Sequence, residues 1–79
     1  MKKIIFGEDK NLIHSALKEI RLKKNLTQSE LAAKLQTMNI NIDQQMISKI
    51  EKNDRFVTDY ELVCIAKALG VDIKDLLGC

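Results

Sequence analysis

Apolar residues recur every three to four positions along most of this 79-residue chain, with short polar breaks between the runs. Leu12, Ile13, Ala16, Leu17 and Ile20 form the first stripe and predict a helix from about Lys10 to Lys24. Its last turn holds Arg21, Lys23 and Lys24, cations that suit the negative end of a helix dipole. Thr27-Gln28-Ser29-Glu30 reads as a capping box, in which Thr27 caps the helix and Glu30 reaches back to it. Leu31, Ala32 and Leu35 carry the second helix to about Gln36. Thr37-Met38-Asn39-Ile40-Asn41-Ile42, with two asparagines and β-branched residues, is a poor helical run and reads as a break.

Asp43 can cap a third helix, Gln44 to about Lys52, with Ile47 and Ile50 inward and Asn53-Asp54 as its stop. Thr58-Asp59-Tyr60-Glu61 is a second capping box. It opens a helix carrying Leu62, Ile65, Ala66 and Leu69, which Gly70 closes. Asp72 then caps a short fifth helix with Ile73, Leu76 and Leu77. Only Lys3-Ile4-Ile5-Phe6 looks extended, and no segment repeats. The predicted class is all-α: a compact five-helix domain over residues 11–79, preceded by an N-terminal arm over residues 1–10.

Composition narrows what such a bundle can do. At 46% apolar the chain has enough material for a core, and with aromatics at 4% that core must come mostly from Leu, Ile, Val and Ala. No apolar run approaches the roughly 18 residues of a membrane span. The three apolar residues after Lys3 are too few for a secretory leader, so a soluble cytoplasmic protein is expected. Cys64 sits in an apolar helical pattern and Cys79 ends the chain, without metal-ligand spacing. His14 is the only histidine, so a hydrolase triad or a histidine-rich metal site lacks partners. Neither a metal nor a cofactor nor an enzymatic activity is expected.

The net charge of +2 is spread unevenly. Residues 1–24 carry seven cations against three anions, residues 25–56 balance, and residues 57–79 carry two against four. A polyanion would feel the N-terminal side more strongly, which permits nucleic-acid binding without demanding it.

The order Arg21-x-x-x-x-Leu26-Thr27-Gln28-x-x-Leu31-Ala32, then Ile47-Ser48-Lys49-Ile50-Glu51, then Ala66-Lys67-Ala68-Leu69-Gly70-Val71, resembles the lambda-repressor-like, or Cro/XRE, helix-turn-helix family. The likeness spans about residues 11–77. It implies that the second helix crosses the backbone of double-stranded DNA while the third enters the major groove. By this resemblance Gln44, Gln45 and Lys49 fall where members read base edges, and glutamine and lysine have the donors and acceptors for adenine and guanine. Gln28 would bond a phosphate or orient the third helix. Lys52, Asn53 and Arg55 fall in a loop where members contact phosphates, and Thr58 caps a helix whose N–H groups could take another. Arg21 and Glu51 fall where many members pair an arginine on helix 1 with a glutamate ending helix 3, a structural ion pair.

The sequence departs from the family in the turn. Leu35 to Ile42 is five residues longer than the usual spacing. The extra residues are expected to bulge outward, with Ile40 or Met38 stapling them and Asn39 and Asn41 able to reach phosphate, so that deleting Met38 to Asn41 would leave the fold standing. Asp43 reads as a plain N-cap, and Phe56 as a cover for a core poor in aromatics. In the arm, Lys2 and Lys3 could follow a groove, while Ile4, Ile5 and Phe6 favour packing on helix 1 or pairing with a second chain. The favoured function is a sequence-specific DNA-binding transcriptional regulator of prokaryotic or phage type, binding as a homodimer. The alternative is a protein-interaction module, such as an antitoxin or assembly factor, on the same fold.

Overall fold

Helix ends in this domain are set mostly by residues close to them in sequence. The structure, a computed structural model, describes residues 9–78. Among these lie five helices, α1 (His14–Lys23), α2 (Gln28–Thr37), α3 (Gln44–Glu51), α4 (Asp59–Leu69) and α5 (Ile73–Leu77). Thr27 Oγ1 accepts from the Glu30 N–H at 3.0 Å while Glu30 Oε1 accepts from the Thr27 N–H at 2.8 Å. Thr58 and Glu61 repeat the exchange, both bonds at 3.1 Å. Asp43 Oδ1 takes the Met46 N–H at 2.9 Å, and Asp75 Oδ2 takes the Asp72 N–H at 3.1 Å. Each start satisfies backbone donors that the first helical turn leaves without partners.

The stops share one device. Asn25, Asn39 and Asn53 stand two residues beyond α1, α2 and α3, with φ of 58°, 63° and 60°. Gly70 follows α4 with φ of 73°. The next residue in each case donates five residues back: Leu26 to Arg21, Ile40 to Leu35, Asp54 to Lys49 and Val71 to Ala66, at 2.8–3.0 Å. These are Schellman closures, for which a left-handed residue is required and asparagine is the best substitute for glycine.

Three local expectations need correction. The apolar periodicity extends to Lys10, but α1 starts at His14. The N–H groups of Lys10 and Asn11 donate instead to Asn53 Oδ1, at 2.9 and 3.2 Å, and Asn11 Oδ1 takes the Ile13 N–H at 3.0 Å. This holds residues 10–13 out of the helix and leaves Leu12 exposed. Second, the α2–α3 connection is not a free bulge: it is anchored in the core at Ile40, one of the two staples expected of it, and also at Ile42. Ile40 is the apolar residue that follows the Asn39 stop, and it and Ile42 are both buried, with Asn39 and Asn41 alternating outward. Third, Phe56 covers no core, being 70% exposed.

Leu17, Leu31, Leu35, Ile42, Ile47, Ile50, Ile65 and Leu76 are fully enclosed, so every helix and the α2–α3 connection contribute to one core. Helix α1 packs on α3 and α5, α2 on α3 and α4, and α4 on α5. Cys64 is buried within this core. The readings of Lys2, Lys3, Ile4, Ile5, Phe6 and Cys79 fall outside the described residues.

Candidate nucleic-acid interface

Helix α3 turns Ile47 and Ile50 into the core, and this fixes what it shows to solvent. Gln44, Gln45, Lys49 and its C-cap Lys52 are exposed, with Ser48 half-buried among them. Positions 44, 45, 48, 49 and 52 are spaced one and three or four apart, so they share one face. Neither Gln44, Gln45, Lys49 nor Lys52 makes a side-chain hydrogen bond or ion pair among the described residues. The sequence assigns Ser48 no contact, yet its spacing of four from Gln44 places it on this face.

A buried polar cluster holds that face in position. Arg21 on α1 donates from Nε to Glu51 Oε2 at 2.7 Å and from Nη2 to Glu51 Oε1 at 3.1 Å. Its Nη1 donates to the Leu26 carbonyl at 2.8 Å. Gln28, first in α2, donates from Nε2 to the same Glu51 Oε1 at 3.0 Å. The Arg21 and Glu51 side chains are only 8% and 5% exposed. Fork-to-carboxylate geometry is directional, so the last residue of α3 is tied to α1 and to the start of α2 at once. Gln28 thus links the start of α2 to the last residue of α3. Its amide lies on an open cleft with Asn25, Thr27, Ser29 and Gln44, which brings the starts of α2 and α3 to one side of the molecule.

The loop after α3 is largely committed within the protein. Asn53 Oδ1 accepts the two N–H groups described above, and its Nδ2 donates to Asp9 Oδ1 at 2.8 Å. Arg55 forms a two-pronged pair with Glu61, at 3.1 and 3.2 Å, and also donates to the Phe56 carbonyl. The Thr58 hydroxyl caps α4, whose first turn already carries the Glu61 carboxylate. Of the four residues in this stretch that the family's pattern directs to phosphates, Lys52 alone has a side chain with no described partner.

Glu61 titrates below the ordinary glutamate range. Burial, the largest single influence, pushes its carboxyl up, but the Arg55 hydrogen bond, the Thr58 N–H, the Arg55 charge and the Thr58 hydroxyl together outweigh it. A lowered folded value means that ionised Glu61 stabilises the fold above the unfolded value and that this contribution fades as pH falls through the folded one. Glu61→Gln is therefore expected to be less stable than wild type at pH 7, by on the order of 1 kcal/mol. The gap should narrow below about pH 4.3, where the wild-type group protonates in the unfolded chain. Urea melts of both proteins from pH 7 to 3 check this; a gap that widens in acid contradicts it.

Among the described residues no three His, Cys, Asp or Glu side chains gather in a way that holds a metal ion, and no helix is long and apolar enough to cross a membrane. No curated protein and no solved structure matches the chain at a significant level. A helix-turn-helix family model matches residues 17–76, three quarters of the sequence and every helix of the domain apart from the first turn of α1 and the end of α5. With five helices in the expected order and α3 presented beside the start of α2, the chain belongs to the Cro/XRE-like helix-turn-helix family, a DNA-binding regulatory domain rather than an enzyme.

Proposed function

We propose that the protein is a sequence-specific DNA-binding regulator of prokaryotic or phage type, acting in the cytoplasm as a homodimer on a pseudo-palindromic site. Residues 11–79 form the binding domain, and α3 lies in the major groove. The observation that carries this reading is the single outward face of α3, with Gln44, Gln45, Ser48 and Lys49 in sequence along it and Lys52 at its end. A glutamine amide matches the N7 and N6 edge of adenine, and lysine donates to guanine O6 or N7. Lys52 stands where a phosphate takes a cation, while Asn53 and Arg55 shape the loop around it. We read the α2–α3 connection as five residues longer than the family's usual turn, its geometry secured by Ile40, Ile42 and the Gln28–Glu51 bond in place of a tight turn.

A second reading follows from Phe56, Leu12 and Leu77, exposed residues that line one groove with Leu62 and Val57 beside the segment before α1. There the fold would dock a partner protein instead of DNA.

The two readings separate on duplexes selected from a random pool, followed by single-base variants of the winner at several salt concentrations. Lys52→Ala is expected to weaken all duplexes alike and to shallow the salt dependence by about one counterion per protomer. Gln44→Ala or Gln45→Ala should relax preference at one or two base pairs, by about 1–3 kcal/mol, and leave the salt slope nearly unchanged. Glutamine variants that keep wild-type preference everywhere would remove α3 as the reading element. A wild type with no sequence preference and little salt dependence would remove DNA altogether.

A further inference from the structure

The segment just before α1 lies outside the residues that match the family, and it is tied to the loop beside the proposed base-reading helix. Asn11 is a buried polar residue, 8% exposed. Its Nδ2 donates to the Ile50 carbonyl at 3.1 Å and to the Arg55 carbonyl at 3.0 Å. These two carbonyls flank residues 51–54, so one amide group closes both ends of the loop that carries Lys52. The loop returns the contact. Asn53, held at φ 60°, accepts the N–H groups of Lys10 and Asn11 and donates to Asp9. Lys10 Nζ also lies 3.5 Å from Asp54 Oδ1, an exposed pair that adds little.

We propose that Asn11 is a positioning residue for DNA binding, which fixes the loop over residues 51–54, and with it Lys52 and the end of α3, in the conformation that meets the phosphate backbone. The proposal rests on the DNA reading above. An amide is the side chain of this size that supplies two donors to two carbonyls while accepting the Ile13 N–H. Aspartate has the same shape and keeps the acceptor, but it has no donor for either carbonyl. A loop released at both ends must be ordered again on each binding event, whatever the DNA sequence. Loss of Asn11 therefore acts on affinity in general and leaves base preference alone.

The test compares Asn11→Asp with Ile65→Val, a change in the enclosed core on α4 that lowers thermal stability without touching the loop. Both are measured well below their unfolding temperatures, on the selected duplex and its single-base variants. Asn11→Asp should bind all duplexes about tenfold more weakly, the scale of one or two net hydrogen bonds, with the order of preference unchanged. Amide exchange supplies a readout without DNA. The N–H groups of Asn53 and Asp54, bonded to Ile50 and Lys49, should exchange faster in Asn11→Asp than in Ile65→Val. Should Asn11→Asp fold poorly, Asn53→Gly keeps the left-handed stop, removes the reciprocal contact and should also weaken all duplexes alike. Equal exchange and equal affinity in Asn11→Asp and Ile65→Val would overturn the proposal, as would a change of preference at particular base pairs. A wild type that binds no duplex would remove its DNA half, while the exchange rates would still decide whether Asn11 sets the loop.

Discussion

Arg21→Ala is expected to cost about 3–5 kcal/mol of folding free energy, because it leaves the Glu51 carboxylate buried with Gln28 as its one remaining side-chain donor among the described residues. A domain of this length has roughly 4–12 kcal/mol in total, so the variant sits near the edge of folding at room temperature. Glu51→Ala strands the guanidinium in the same way, with only the Leu26 carbonyl left to it among the described residues. The double variant should lose clearly less than the two single losses together, since neither charge then lies buried without the other. Urea melts of the four proteins give the coupling directly. Simple addition of the single losses would mean that the two side chains do not act as a pair. The effect on DNA binding should be larger than that of any surface lysine, because Glu51 is where α3 is fastened to its two neighbours.

Ile40→Ala is expected to cost about 3 kcal/mol, the range for a large aliphatic side chain removed from a packed interior. Ile40 is 5% exposed and belongs to the same cluster as Leu35, Ile42 and Ile47. Deleting Met38 to Asn41 removes this side chain together with the α2 stop, so cooperative thermal unfolding should be lost on circular dichroism. Asn41→Ala, one residue away and exposed, should stay within about 0.5 kcal/mol of wild type. Asn39→Ala should cost about 1–2 kcal/mol for its left-handed backbone, and Asn39→Gly nearly nothing. A cooperative deletion variant with near wild-type stability would return the connection to the surface.

These contrasts show which parts of the molecule were legible in the sequence. Helix starts were, because Thr27, Asp43 and Thr58 act on donors no more than three residues away. The inward faces of α2, α3 and α4 were too, from periodicity alone. The start of α1 was not. A stripe through Leu12 and Ile13 looks helical in one dimension, while the groups that stop it come from Asn53, more than forty residues on. Arg55 carries the charge of a phosphate ligand, and nothing local distinguishes that from a partner for Glu61 six residues later. Ile40 had a sequence signal in the Asn-apolar pair after a helix end, the same pattern as Asn25-Leu26. Arg21 and Glu51 lie thirty residues apart, and only the family's pattern joined them before the structure did.

The alternation along the α2–α3 connection divides labour between neighbouring residues. Ile40 and Ile42 hold the chain down, whereas Asn39 and Asn41 face outward immediately before α3. A substitution at 41 therefore carries almost no folding penalty, and one at 39 is limited only by its backbone angle. Such a segment can diversify while the scaffold stays fixed, as a grafting site does in an engineered binder. New binding properties would be sought first by randomising position 41, with Ile40, Ile42 and every other core residue left as it is.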